Sequence, residues 1–574
     1  MAEEVAVGVA ALERVAANAE KWAKTSEKER VALLRKMILK TYDNLDRWAV
    51  LHARHVTKLP VGEGEGPEAF PDAGEYGHVF GEGYGVGPAL FGAYANLLAD
   101  SLDEYVANGS FPLGKQPASR ALDEDQNDHV VRTYPTTTTD SIYAPGFEGY
   151  AYLDGSKPLS RGATYEAERE AGTVVVLGAG NFSAPIELLN KMFVEHKVCL
   201  YKPNPVNGKV TGPMVRAIFA ELIEAGYLDV VEGGVEVGSA MIAHEACDQV
   251  MLTGSNKTYD AIVWGSPRDE KEQQRRKDEG QKQCEKQVDA ELGNVNVCTV
   301  VPGPWTDKEI AHQAAQIAGV RQMNGGHTCP SPQIILLAKD WPQREQFVNK
   351  LREKLSKNQS TASYYPGTQQ KYARFQEHYG DKAEVLEYTG TVGKLDNYLA
   401  PLFVSDISSD PELFQNFESF CPVMSDYPMD VEATAPAFLE AAVDFVNNKT
   451  WGNLSTTILA CSKTLAEHKP ALEKAANDLN VGAVGINVWG GNIVFFSQLR
   501  WGAFPGNTPE DVQSGVGLGV GNYYMYDNMK KAVLWSPCVS PVHLKSYTNP
   551  AKGATLMRRL AYFATWPSMW NLVK

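Results

Sequence analysis

Cys329 lies in the run NGGHTCPSPQ, after a pair of glycines and before two prolines. The glycines permit close approach of backbone to a ligand, and the prolines keep a long helix from starting at once downstream. A thiol among backbone N–H groups can have a lowered pKa and attack a carbonyl. Glu291 opens ELGN at the lead-in to a strand, where a carboxylate held in a pocket can act as general base on water. Asn181 stands in GAGNF at a strand end, where a side-chain amide could support an oxyanion. Each also has an ordinary reading: an inert thiol among eight, a solvated carboxylate beside a charged segment, a turn-stabilising amide. Taken singly, the three do not select a reaction.

The elements that must position them follow from periodicity. Residues 5–56 read as helical, with capping-box spacing at Ser26 and Glu29. A Gly-rich acidic stretch, GEGEGPEAFPDAGEYGHVFGEG, reads as a loop or insertion, and residues 84–106 return to a helical pattern. VVRTYP and the Thr run after it read as an extended ribbon. From residue 172, short β-branched strands (GTVVVLGAG, KVCLYKP, LDVVEGG, QVMLTGS) alternate with helical segments, which predicts a mostly parallel sheet covered on both faces. The segment SPRDEKEQQRRKDEGQKQCEKQ reads as a solvated helix or loop. A second α/β unit is expected over 292–515. Its first helix has a capping box at Thr306 and Glu309, and Thr508, Pro509 and Asp511 mark a later helix start. The basic, aromatic end LMRRLAYFATWPSMWNLVK predicts a tail helix packed on the body.

Composition narrows the function classes. The chain has 574 residues, 44% hydrophobic and 22% charged, with a net charge of −16. That balance fits a soluble enzyme and disfavours a nucleic-acid partner, which would meet a basic surface. The eight cysteines form no Cys-x-x-Cys pair, so zinc-ribbon and dithiol chemistry lack their spacing and a reducing, cytoplasmic location is expected. No metal site and no transmembrane segment is expected, and the acidic N-terminus does not read as a secretory signal.

The ordered set GAGNF, YKPNP, VVEGG, LTGS, ELGN, GGHTC, FESFCPV and VGAVGIN resembles the aldehyde dehydrogenase superfamily, over roughly residues 5–540 and as a divergent branch. The resemblance implies an α/β fold: a Rossmann-like cofactor domain (1–130 and 169–291), an α/β catalytic domain (292–515) and a small β oligomerisation element (131–168 and 516–540), with 541–574 as a C-terminal extension. It implies that Cys329 is the nucleophile, that Asn181 with the Cys329 backbone N–H holds the oxyanion, and that Glu291 is the general base. NAD or NADP would be bound by Lys202, Gly234, Gly254, Ser255, Glu418 and Phe420. A small-molecule aldehyde is the implied substrate, and a homodimer or homotetramer the implied assembly.

The chain departs from the family pattern at four points. Asn294 stands where a second Gly usually follows ELG, His327 where Gln usually precedes the nucleophile by two, and Pro205 where NAD-preferring relatives carry Glu; NKTYDAIVWG replaces a Gly-rich helix start. Loss of that Glu permits NADP without showing a preference for it. The run CPSPQ resembles acylating members of the superfamily, but retention of Glu291 argues for water as the acyl acceptor. Divergence of the cofactor loop leaves a non-catalytic relative as a further alternative. Trp489, Phe495, Phe496, Trp501 and Phe504 fall where substrate-pocket residues could lie and would suit an apolar aldehyde, though core packing explains them equally.

Overall fold

The computed structural model describes residues 2–58, 76–112, 120–121, 129–167, 170–266, 270–357, 362–387, 395–517, 519–523, 525–540, 550–568 and 570–571. Two sheets organise it. The first has six strands. Thr173–Leu177 lies inside it, with Val198–Lys202 and then Leu228–Val230 on one side and Gln249–Thr253 and then Gln287–Glu291 on the other, all parallel. Gly515–Val516 closes this last edge in antiparallel register. The chain thus winds outward one way, returns, and winds the other way. The strand order reverses between Thr173–Leu177 and Gln249–Thr253, where doubly wound sheets open a crevice at the carboxyl ends of their strands.

The second sheet has eleven strands. Asn296–Val300 and Pro332–Ala338 pair in parallel near its middle, and both are buried along their whole length, as strands covered on two faces must be. His129–Tyr134 and Glu148–Leu153 form a hairpin that continues this sheet through Met529–Trp535. The strands expected in a small β element therefore extend the eleven-stranded sheet within the chain.

Both capping boxes form, at Ser26–Glu29 and at Thr306–Glu309. Three expectations are corrected. Gly77–Tyr84 is a buried helix, not a loop; its glycines serve close packing, since a Cβ on Gly83 would stand 3.0 Å from Ala49 Cα. Residues 59–75, the rest of that stretch, lie outside the described residues. The Thr run starts a short helix, Thr138–Tyr143, capped by Thr137. Thr508 receives the Asp511 N–H as an N-cap would, but no helix follows, because Gly515–Val516 is extended to pair with Ala290 and Glu291. The expected tail helix is present as Pro550–Thr565. Among the described residues no helix is long and apolar enough to cross a membrane.

Candidate active site

The helix Asp307–Gln322 runs toward the sheet junction, and Asn324, Gly325 and Gly326 then take φ of 54°, 64° and 77°. Three successive left-handed residues turn the chain out of its helix and into the Pro332–Ala338 strand, leaving Cys329 on the connecting turn. Glycine is required at Gly326 on two counts: its φ, and a Cβ that would lie 2.7 Å from the Cys421 carbonyl carbon.

Cys329 Sγ lies 4.0 Å from Glu291 Oε1, and the Trp501 indole donates to that same oxygen at 2.6 Å. Burial raises the Glu291 carboxyl, with the indole opposing. Burial, then the Glu291 and Glu418 carboxylates, push the Cys329 thiol well up, so the resting sulfur is protonated with a proton acceptor in contact. By contrast Cys298, in the middle of its strand, is wholly enclosed in core and touches none of these groups.

Asn181 is held from both sides. Its amide donates to the His327 carbonyl at 2.9 Å, and the Asn324 amide donates to the Asn181 carbonyl at 2.9 Å. The strand-end turn and the nucleophile turn are thereby locked together. One Asn181 N–H is engaged and the other is left for an incoming oxygen. The Asn324 backbone N–H donates to Glu82 Oε1 at 3.0 Å, so a buried carboxylate from an early helix braces the turn. His327 bonds and packs away from the thiol. It is fully buried, bonds Thr368 Oγ1 at 3.0 Å and packs on Tyr364, Tyr365 and Phe420; burial drives its pKa down to about 3, so it is neutral.

Of the residues expected to hold a dinucleotide, Lys202, Gly234, Gly254 and Ser255 lie at or just after the carboxyl ends of strands in the six-stranded sheet, the end at which the switch point opens. Lys202 ends its strand, with its stem beside Gly238 and its amine pKa lowered by burial. Gly234 and Ser255 are the N-caps of helices Val235–Ala243 and Asn256–Val263, whose leading N–H groups form an anion-binding end. The Gly254 N–H is bonded to the Glu291 carbonyl at 3.0 Å, tying this turn to the candidate base. Glu418 sits against the ELGN turn: its Oε1 accepts the Asn294 N–H at 3.2 Å, and a Cβ on Gly293 would stand 2.3 Å from its Oε2. Burial raises this carboxyl to about 7 against the pull of Lys371, the Asn294 N–H and Arg321. Phe420 sits beside it in a left-handed conformation, φ 46°. Glycine cradles, helix ends and a carboxylate on one crevice suit a dinucleotide. Asn294 does not crowd it, because its side chain turns away to the Ser455 carbonyl at 2.8 Å.

Some contributors escaped sequence reasoning. Glu82 and Asn324 are 242 residues apart, and no spacing rule links them. Tyr365 lies over the GAGNF turn, where a Cβ on Gly180 would stand 2.5 Å from its hydroxyl, and its ring is 5.1 Å from that of Phe420. Lys371 Nζ stands 5.2 Å from the Phe420 ring centre. Of the candidate substrate aromatics, Trp489, Phe495 and Phe496 line a cavity. Trp501 instead serves Glu291, and Phe504 lies under Lys531.

A model of the aldehyde dehydrogenase family matches residues 172–500. Among curated proteins, the N-succinylglutamate 5-semialdehyde dehydrogenase of Ectopseudomonas mendocina (strain ymp) is 27% identical over 183 residues, 30% of this chain and 37% of that protein. The chain thus spans little more than a third of that relative's length. Three solved structures share the architecture. The aldehyde dehydrogenase KauB from Pseudomonas aeruginosa aligns with a TM-score of 0.58 at 15% identity, covering 93% of this chain and 89% of that one. An NAD-dependent aldehyde dehydrogenase from Sinorhizobium meliloti gives 0.58 at 18%, covering 93% and 86%. The glyceraldehyde-3-phosphate dehydrogenase GapN from Methanocaldococcus jannaschii DSM 2661, complexed with NADP, gives 0.57 at 16%, covering 93% and 94%.

Proposed function

The chain belongs to the aldehyde dehydrogenase family, and from that premise we propose that it oxidises an aldehyde to a carboxylic acid with NAD or NADP, through covalent attachment to Cys329. The observation that carries this reading is the convergence of a thiol, a carboxylate and a side-chain amide from three distant segments: Cys329, Glu291 and Asn181. The crevice is assigned to NAD(P) because it fits a dinucleotide and because relatives of this fold are described as NAD-dependent or complexed with NADP. Lys202, the helix ends at Gly234 and Gly254–Ser255, and Glu418 with Phe420 would hold it.

Glu291 takes the thiol proton, and the sulfur adds to the aldehyde carbonyl. The free Asn181 N–H and the Cys329 backbone N–H stabilise the resulting thiohemiacetal oxyanion. NAD or NADP, held by those residues, would supply the hydride acceptor needed for this adduct to become a thioester. Once Glu291 has passed the thiol proton to solvent, its carboxylate removes a proton from water as the water attacks the thioester, and the acid leaves as the C–S bond to Cys329 breaks. Trp501 holds the base in place throughout. The division of labour follows the expected domains: 1–130 with 169–291 for the cofactor, 292–515 for the nucleophile, the hairpin and late strand for a homodimer or homotetramer, all in a cytoplasmic protein.

The test is an aldehyde panel with NAD and NADP, with and without coenzyme A, on the full chain and on Cys329→Ala. Acid formed without coenzyme A, and lost in the variant, is the expected result. An unchanged rate in Cys329→Ala overturns the mechanism, and turnover that requires coenzyme A overturns hydrolysis.

A further inference from the structure

Arg321 is the next-to-last residue of the helix Asp307–Gln322, shortly before Cys329, and it is 1% exposed. Its guanidinium forms no ion pair among the described residues and makes three hydrogen bonds instead. Nη1 donates to the Ser331 and Pro332 carbonyls, both at 3.3 Å, and Nη2 donates to the Ser419 hydroxyl at 3.1 Å. Nε has no partner among the described residues. Burial lowers the guanidinium to about 10 against the pull of Cys421 and Glu418, so it stays charged at neutral pH.

Packing does not account for such a residue. A buried guanidinium without a counter-ion has desolvation to overcome and no close Coulombic attraction to offset it, and an apolar side chain of similar volume would be more stable there. The groups it joins do account for it. Ser331 and Pro332 lead from the turn that carries Cys329 into the Pro332–Ala338 strand. Ser419 stands between Glu418 and Phe420. A planar fork with fixed donors holds two such turns at one spacing, which an ammonium on a flexible stem does not. A second tie runs through Gln333. Its Oε1 accepts the Ser419 N–H at 3.0 Å, and its Nε2 donates to the Phe414 and Phe417 carbonyls at 2.8 and 3.0 Å. Gln333 keeps the two segments joined when Arg321 is replaced, so the guanidinium can be tested apart from the fold.

The carboxylate on which the Arg321 charge bears is Glu418. Burial pushes that carboxyl up; Lys371 from the helix Thr368–Tyr379, the Asn294 N–H and Arg321 oppose it. Tyr365 and the Cys329 thiol also lie within its electrostatic reach. Lys371 is partly exposed, so salt screens its charge. Arg321 is enclosed, and its pull persists at high ionic strength.

We propose that Arg321 is a positioning residue: its guanidinium sets the turn of Cys329 against the turn of Glu418 and Phe420, and it lends the Glu418 carboxylate a buried counter-charge that salt does not screen. The proposal rests on the reading of Glu418 as a cofactor-binding group and adds the residue that acts through it.

The experiment compares the full chain with Arg321→Met, Arg321→Lys and Arg321→Gln. The last is a neutral variant that keeps donors for the carbonyls should Arg321→Met fail to fold. In the chain without cofactor, the titration of Glu418 is read from the carboxylic-acid infrared band that Glu418→Gln removes. Its midpoint should rise by about one pH unit in the neutral variants, equally at low and high salt, and return in Arg321→Lys. Fluorescence titrations with NADH and NADPH should follow it. The carboxylate is the form that accepts hydrogen bonds from a ribose, so on acidification the neutral variants should lose affinity at a pH about one unit higher. At a pH where Glu418 is charged in every variant, dinucleotide affinity should agree within about twofold, while single-turnover hydride transfer falls at least about tenfold in Arg321→Met and Arg321→Lys, which both lack the fork. A Glu418 midpoint that stays in place in the neutral variants, or that lysine does not restore, overturns the inference and leaves aldehyde oxidation standing. Hydride transfer at the full rate in Arg321→Met and Arg321→Lys does the same. A midpoint that moves as expected, without binding of either dinucleotide at any pH, upholds the counter-charge and overturns the cofactor reading of Glu418.

Discussion

The indole nitrogen of Trp501 lies 2.6 Å from Oε1 of Glu291, the oxygen that faces the Cys329 sulfur. The bond opposes the upward push of burial on the Glu291 pKa. Trp501→Phe removes the donor and keeps a ring in place. The carboxyl pKa then rises further, and since a base works only above its pKa, the acid limb of the kcat profile moves to higher pH. A fall of about tenfold in kcat at neutral pH is expected from one lost charge-assisted hydrogen bond. Steady-state rates over a pH series check both; an unshifted acid limb would show that the bond does not tune the base.

Glu291 also bears on the thiol itself. Burial is the larger cause of the raised Cys329 pKa, and the Glu291 charge adds to it. Glu291→Gln removes that charge and the proton acceptor together, and the two losses have opposite signs in different measurements. The pH midpoint for alkylation of Cys329 by iodoacetamide should fall, because the thiolate loses a negative neighbour. Turnover should fall by about 10²–10⁴, because water loses its general base. An unchanged midpoint would place Glu291 outside the thiol's electrostatic reach, and a rise would overturn the sign of its effect.

The contrast between these residues and their support shows what a sequence makes legible. Parallel strands announce themselves by β-branched runs, and Asn181, Glu291 and Cys329 fall at strand ends or next to glycines, where local composition marks a turn. Trp501 carries no such mark. Its local sequence is equally that of a core residue, and it lies 210 residues from Glu291, a separation that no spacing rule bridges. Glu82 was hidden for a second reason. It sits in a Gly-rich segment that reads as loop, whereas helix packing on Ala49 rewards small residues there. Asn294 shows the converse: its side chain is a visible departure from the family pattern, but the side chain leaves the crevice and the backbone N–H serves Glu418 in its place.

Arg558 and Asp46 fasten the helix Pro550–Thr565 to the helix Leu45–Thr57. Burial pushes the Asp46 carboxyl up, but bonds from Arg558 and Tyr84 outweigh it, so the folded pKa lies below its ordinary value. A depressed carboxylate contributes stability above its unfolded pKa, near ~3.9, and loses it as pH falls through the folded value. The pair is partly exposed, so solvent screening holds its worth to about 1 kcal/mol. Arg558→Met should therefore lower the unfolding free energy by about that amount at pH 7 and by less at pH 3. It should also speed amide exchange across residues 553–565. Equal losses at both pH values would show that packing, not charge, holds the helix.

Gly293 separates cofactor handling from nucleophile chemistry. A Cβ there would stand 2.3 Å from Glu418 Oε2, far inside contact distance, and the carboxylate is the mobile partner. In Gly293→Ala, Glu418 is therefore displaced from the Asn294 N–H, which now holds it at 3.2 Å. If Glu418 holds the dinucleotide, KM for NAD(P) should rise by about tenfold or more, the worth of a hydrogen bond to a charged group. Glu291, two residues before Gly293, is anchored as the last residue of its strand and faces Cys329 rather than Glu418, so the alkylation rate at fixed pH should change less than about twofold. A variant that loses both properties would show that the ELGN turn is one rigid unit; a variant that loses neither would remove Glu418 from the cofactor site.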